Sequence, residues 1–107
     1  MEVFYASSRL ELLCLSARDL VRAYGREGAR KVGQRLQALR AAETLDELFT
    51  MPGRCHPLRG TYADCYAMDL HQGWRMVFRL MTSEEKKERG IEEGAAALVI
   101  EIVDYHG

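Results

Sequence analysis

The sequence predicts an α+β fold, with two N-terminal helices packed on one face of a small, mostly antiparallel sheet of four to five strands. Three features carry that expectation. Apolar residues recur at helical spacing from Leu10 to Leu39. After Met51-Pro52-Gly53 the period changes, and bulky residues begin to alternate with small or polar ones. The most apolar run, Ala97 to Tyr105, reads as a buried final strand. Helices that precede a block of strands segregate to one face of the resulting sheet.

In order, Val3 to Ala6 reads as a short first strand. Ser8 with Glu11, and Ser16 with Asp19, have the spacing of helix-capping boxes. Leu10, Leu13, Ala17, Leu20, Val21 and Tyr24 then mark a helical stripe that Gly25 is suited to stop. A second helix is expected from Glu27 to Ala42, burying Val32, Leu36 and Leu39. Thr44 and Glu47 form another capping pair ahead of a short turn through Leu48. Cys55 to Arg59 should be extended, with Gly60 as punctuation. Tyr62 to Leu70 and Trp74 to Met81 read as paired strands around the hairpin signal His71-Gln72-Gly73. Trp74, Met76, Phe78 and Leu80 share one face of the second of these, and Arg75 and Arg79 the other. Residues 82–95 read as a solvated acidic loop with room for a helical turn, and as the segment most suited to move.

The 107 residues fit one domain, and 48% hydrophobic with 29% charged residues is a globular composition. No apolar run approaches the roughly 20 residues that span a bilayer. Met1 to Tyr5 lacks a basic stretch followed by an apolar one, so a cytoplasmic protein is expected. The three cysteines include no CxxC pair, and Cys55, His56, Cys65 and His71 match no common metal-site spacing, so neither metal nor cofactor is expected. Net charge is −1 but unevenly spread. Residues 1–79 hold 12 Lys and Arg against 9 Asp and Glu, a net of +3; residues 80–107 hold 3 against 7, a net of −4. The whole-molecule field therefore does not favour strong attraction of nucleic acid.

Two clusters carry chemistry. Gly53-Arg54-Cys55-His56-Pro57-Leu58-Arg59-Gly60 places His56 and Arg59 on one short extended stretch, and Val103-Asp104-Tyr105-His106 ends a core strand on three hydrogen-bonding side chains. Together with Tyr66-Ala67-Met68-Asp69-Leu70 and Trp74-Arg75-Met76-Val77-Phe78, these segments resemble the RelE/ParE superfamily of toxins, in its HigB-like, plasmid-maintenance-killer branch. Leu36, Leu39, Arg40, Ala41, Ala42, Leu45 and Leu48 are similar to that family's second helix and following turn. The resemblance runs from about Arg22 to the end, apart from residues 82–95.

It implies a single RelE-like domain over 1–107 that acts as a ribosome-dependent mRNA endoribonuclease. The 2′-hydroxyl would attack its own neighbouring phosphate, which requires a base, an acid and positive charge on the phosphate. Carried over by motif, His56 and His106 are the acid/base candidates, and histidine titrates nearest neutrality. Arg59, where a lysine is common, would hold the phosphate. Asp104 and Tyr105 would orient groups or contact RNA, and Arg75 would stabilise developing phosphate charge. The implied partners are mRNA in the ribosomal A site and a HigA-like, helix-turn-helix antitoxin.

Other readings stay open. Arg75 and Arg79 can pair across strands with Asp69 or Glu101. His56 can be a turn residue beside Pro57, and Asp104 a strand-end cap. Arg18, Arg22, Arg26 and Arg30 form either a partner-binding stripe or a solvated face, provided Gly25 leaves the helix continuous. At the level of the whole protein, a RelE-like chain with weak cleavage that works as an antitoxin-bound repressor subunit, or a ParE-like gyrase inhibitor, would use the same scaffold.

Overall fold

A computed structural model describes residues 1–104. The elements are β1 (Glu2–Tyr5), α1 (Ser8–Cys14), α2 (Ala17–Ala41), α3 (Leu45–Thr50), β2 (His56–Pro57), a 3-10 turn (Gly60–Tyr62), β3 (Cys65–Asp69), β4 (Trp74–Leu80), α4 (Ser83–Glu88) and β5 (Ala96–Asp104). The five strands form one sheet in the order β1-β5-β4-β3-β2. β1 runs parallel to β5, and every other pairing is antiparallel.

Helix starts follow side-chain capping. Ser16 accepts from the Asp19 amide at 3.1 Å and Thr44 from the Glu47 amide at 3.3 Å, as the spacing predicts. At α1 the cap is Ser7 rather than Ser8: Ser7 holds extended backbone, and its hydroxyl accepts from the Leu10 amide at 3.1 Å. Two adjacent serines offer the same chemistry, so spacing alone could not choose between them. Gly25 stops the first helical path as expected, with φ 77°, and the chain resumes helix immediately, so α2 is two segments joined at a kink. The kink also interrupts the stripe of Arg18, Arg22, Arg26 and Arg30. The Met1 ammonium donates to the carbonyls of Leu39 (3.1 Å), Arg40 (2.9 Å) and Ala42, satisfying acceptors that the end of α2 leaves without helical partners.

The core lies between the helices and one sheet face. Val32, Leu36 and Leu39 from α2 and Leu48 from α3 meet Met68, Met76, Phe78, Ala97 and Val99 of the sheet. Burying each of the larger side chains contributes roughly 1.5–3 kcal/mol relative to exposure. Trp74 is half-buried on the same face, edge-on to Tyr24 with ring centroids 5.0 Å apart. Between Val77 and Phe78 the β4–β5 register shifts: Val77 pairs with Glu101 and Phe78 with Val99, which leaves Ile100 as the extra residue of a bulge. The bulge keeps both Val99 and Ile102 on the core side. In the β3–β4 loop, Gln72 and Gly73 both take positive φ and the Trp74 amide donates to the His71 carbonyl, the pattern of a tight hairpin turn.

The segment expected as a solvated loop has a defined form. Thr82 and Glu85 make a complete capping box for α4. Glu85 also receives Arg79 on both carboxylate oxygens, at 2.7 and 2.6 Å, and Arg89 sits over the Phe4 ring at 4.9 Å. No helix among the described residues is long and apolar enough to cross a membrane.

Candidate functional site

The sheet face turned away from α1–α3 collects the chemistry. Strand parity and register arrange it in three rows. The first contains Cys65, Arg79 and Leu98, with Phe4 beyond. The second contains His56, Ala67, Val77 and Glu101. The third contains Asp69, Arg75 and Val103. α4 docks beside the first row, so the acidic Glu84, Glu85 and Glu88 lie at that end. The basic Arg54 and Arg75 lie at the other.

His56 stands in the middle row on the short strand β2. Its Nδ1 is 2.7 Å from the Arg54 carbonyl oxygen. A carbonyl only accepts, so Nδ1 is the protonated nitrogen, and Nε2 is left to exchange a proton with a ligand. Arg59 is exposed three residues further along, at the start of the 3-10 turn. The Tyr62 hydroxyl donates to Glu101, linking that turn to β5 within the row that His56 occupies.

Asp69 is the hub of the third row. Its Oδ2 accepts from Arg54 Nε at 2.7 Å, and its Oδ1 accepts from Arg54 Nη2 at 3.1 Å and from Arg75 Nε at 2.9 Å. Partial burial alone would raise the Asp69 pKa, but hydrogen bonds and charge from Arg54 and Arg75 outweigh it and hold the carboxyl below its ordinary 3.8. Its main chain is pinned as well. The Asp69 amide donates to the Gly53 carbonyl at 2.7 Å, and its carbonyl accepts from Arg35 Nε at 2.8 Å. Arg35 is the buried charged residue of α2, and desolvation lowers its pKa while Asp69 opposes the shift. Gly53 and Arg54 both hold positive φ, 118° and 51°, and this bend brings Arg54 back over the end of β3.

Of the residues singled out from sequence, His56 and Arg75 share this face, and Arg59 lies at its margin. Arg75 takes Asp69 as its cross-strand partner, one of the two acids expected, whereas Arg79 takes Glu85 of α4 and neither of them. Asp104 pairs with Trp74 and so has the parity of the core side, not of His56 and Arg75. Tyr105 and His106 lie outside the described residues. The sequence named Asp69 only as a cross-strand partner for Arg75 or Arg79, and it gave no role to Arg54 or Tyr62. For Asp69 the signal was present, because it sits directly opposite Arg75 in the predicted hairpin. For Tyr62 and Glu101, 39 residues apart, nothing local announces the pairing. All three cysteines are buried and free, and burial pushes the Cys14 and Cys55 thiols up to about 11, which leaves them poor nucleophiles.

No family profile matches the chain, and no curated protein matches its sequence. Its architecture, however, is that of known toxins. The YoeB/ParE toxin from Agrobacterium tumefaciens superposes with a TM-score of 0.62 at 15% identity, covering 99% of this chain and 100% of that one. A chain of the YoeB-YefM complex from Staphylococcus aureus superposes with a TM-score of 0.59 at 9% identity, covering 100% of this chain and 98% of that one. The α+β fold read from the sequence is therefore the fold that the chain shares with these two solved structures.

Proposed function

We propose that this chain is the toxin of a type II toxin–antitoxin pair, and that it cleaves mRNA on the ribosome by attack of a 2′-hydroxyl on the adjacent phosphate. The observation that carries the reading is His56: anchored through Nδ1, on the open sheet face, with the Arg54–Arg75 cluster two strand residues to one side and Arg59 to the other. That arrangement suits a proton-transferring group set beside a phosphate seat.

In this reading His56 Nε2 takes the 2′-hydroxyl proton or delivers one to the leaving 5′-oxygen, and His106 supplies the complementary step. Arg75 stabilises charge on the phosphoryl oxygens, and Arg59 holds the backbone. Tyr105 stacks on or orients a base, while Asp104 steadies the strand end from the reverse side. The net charge of −1 explains why the ribosome is needed: phosphate neutralisation dominates RNA affinity, so this domain relies on a substrate already positioned for it. A HigA-like, helix-turn-helix antitoxin in the same cytoplasm would restrain the activity.

Induction in bacteria followed by mapping of mRNA 5′ ends tests the proposal. New 5′-hydroxyl ends inside translated codons, absent with His56→Ala, are the expected result. Growth arrest without such ends, accompanied by trapped gyrase–DNA complexes, would replace it with the gyrase-inhibitor reading. Neither arrest nor ends would favour the repressor-subunit reading.

A further inference from the structure

We propose that Asp69 is a positioning residue that gathers Arg54 and Arg75 into a two-guanidinium seat for one RNA phosphate, which makes Arg54 a second phosphate-contacting side chain. This rests on the nuclease reading above and deepens it.

Convergence on one oxygen is the first ground. Arg54 Nη2 and Arg75 Nε both contact Oδ1 of Asp69, at 3.1 and 2.9 Å. Two guanidinium groups that share an acceptor atom cannot be more than about 6 Å apart at those nitrogens, within the span that one phosphate group bridges. Without Asp69, mutual repulsion would separate them.

Asp69 is itself fixed. Its amide is tied to Gly53 and its carbonyl to the buried Arg35, so the carboxylate does not swing as a surface acid does. The cluster of two cations and one anion keeps a net positive charge, in a chain whose overall charge is −1. Arg54 is largely exposed, with its side chain 60% accessible, and its Nη1 makes no hydrogen bond among the described residues. It can therefore turn donors to a ligand while staying on Asp69.

Placement is the second ground. Asp69 lies two residues along β3 from Ala67, the register partner of His56, a separation of about 7 Å along the strand. The Arg54 carbonyl is also the acceptor that fixes His56 Nδ1. Arg54 thus links the two parts: its main chain orients the histidine and its side chain completes the seat.

The test has two arms on the full chain. In the first, single-turnover cleavage is measured on ribosomes programmed with mRNA, and binding on the same ribosomes with a 2′-deoxy A-site codon that cannot be cut. Asp69→Asn and Arg54→Gln are each expected to slow cleavage at saturation by at least ~10-fold, with affinity changed less than ~3-fold, and Arg54→Lys to recover part of the Arg54→Gln loss. Glu27→Gln, which removes an exposed ion pair with Arg30 on α2, should match the parent. In the second arm, the arginine Nε–H resonances are followed by nitrogen-15 NMR during titration with inorganic phosphate. The Arg54 and Arg75 signals should move together in the parent and lose that joint response in Asp69→Asn. If the parent cleaves and Asp69→Asn cleaves equally fast, the proposal is overturned while the nuclease reading stands. If the parent does not cleave, the nuclease reading falls and the phosphate titration alone decides: joint movement upholds the seat, and independent or absent movement overturns it.

Discussion

His56 Nδ1 lies 2.7 Å from the carbonyl oxygen of Arg54, two residues before it in the chain. That contact fixes which ring nitrogen carries the proton and leaves the other to do chemistry. It also provides a way to separate positioning from proton transfer. His56→Asn keeps a donor able to reach the Arg54 carbonyl but has no second ring nitrogen; His56→Ala keeps neither. Both are expected to reduce ribosome-dependent cleavage by ~10²-fold or more, the usual loss for a general acid or base. Substantial activity in His56→Asn would mean that the anchor, not the proton, is what His56 supplies.

Much of the fold was legible because each local signal agreed with the global pattern. Alternation in Trp74 to Leu80 assigned Met76 and Phe78 to the core and Arg75 and Arg79 to the open face, as found. Less visible were features set by contacts distant in sequence. Ala67 and Val77 are fully buried although they belong to the open face, because that face is not bare. The parallel seam of β1 on β5 joins residues more than 90 positions apart, and no local pattern specifies it. The bulge at Ile100 changes the face of everything after it in β5, which is why Asp104 has the parity of Trp74. A reading that treats Ala97 to Tyr105 as uniform alternation cannot see that change. The candidate site was half legible for the same reason: His56 and Arg75 come from recognisable motifs, whereas Arg54 reaches the site through a backbone bend at Gly53.

Gly53 tests that bend. A Cβ there would lie 2.6 Å from Arg35 Nε and 2.9 Å from Arg35 Cδ, on backbone at φ 118°. Arg35 cannot yield freely, since the same Nε donates to Asp69. Gly53→Ala is expected to destabilise the protein by ~1–3 kcal/mol. Gly33→Ala, in α2 with ordinary φ and open space around the new methyl, should instead stabilise it by ~0.5–1 kcal/mol. Urea midpoints of the two variants should fall on opposite sides of the parent's.

The contact between α4 and the sheet should depend on pH in a defined direction. The Arg79 hydrogen bonds, aided by the Thr82 amide, hold Glu85 at about 2, below its ordinary 4.5. A pKa depressed in the folded state means the pair stabilises above the ordinary carboxylate range and that this is lost as pH falls from about 4.5 towards 2. The denaturation midpoint of Glu85→Gln should therefore lie below the parent's at neutral pH and converge with it as the pH approaches 2. A gap that stays constant over that range would show that the loss in Glu85→Gln comes from the α4 cap and not from its charge.

The end of the chain provides the sharpest test of the residues carried by motif alone. Val99 is buried, Ile102 packs against the core, and the register of β5 with β4 extends to Asp104 opposite Trp74. Removing His106 and Gly107 therefore takes nothing from the described core and no pair from that ladder, and thermal stability should fall little. If His106 supplies the second proton transfer, the truncated chain should lose at least ~10²-fold in mRNA cleavage while still folding and still binding ribosomes. Arg79→Ala, made in parallel, breaks the α4 contact at the far end of the face and should reduce cleavage far less. Growth arrest and 5′-end mapping at equal soluble level decide between the possibilities. If the truncated chain is as toxic as the parent, the acid and base must both be sought on the open face, where His56 is the only histidine among the three rows.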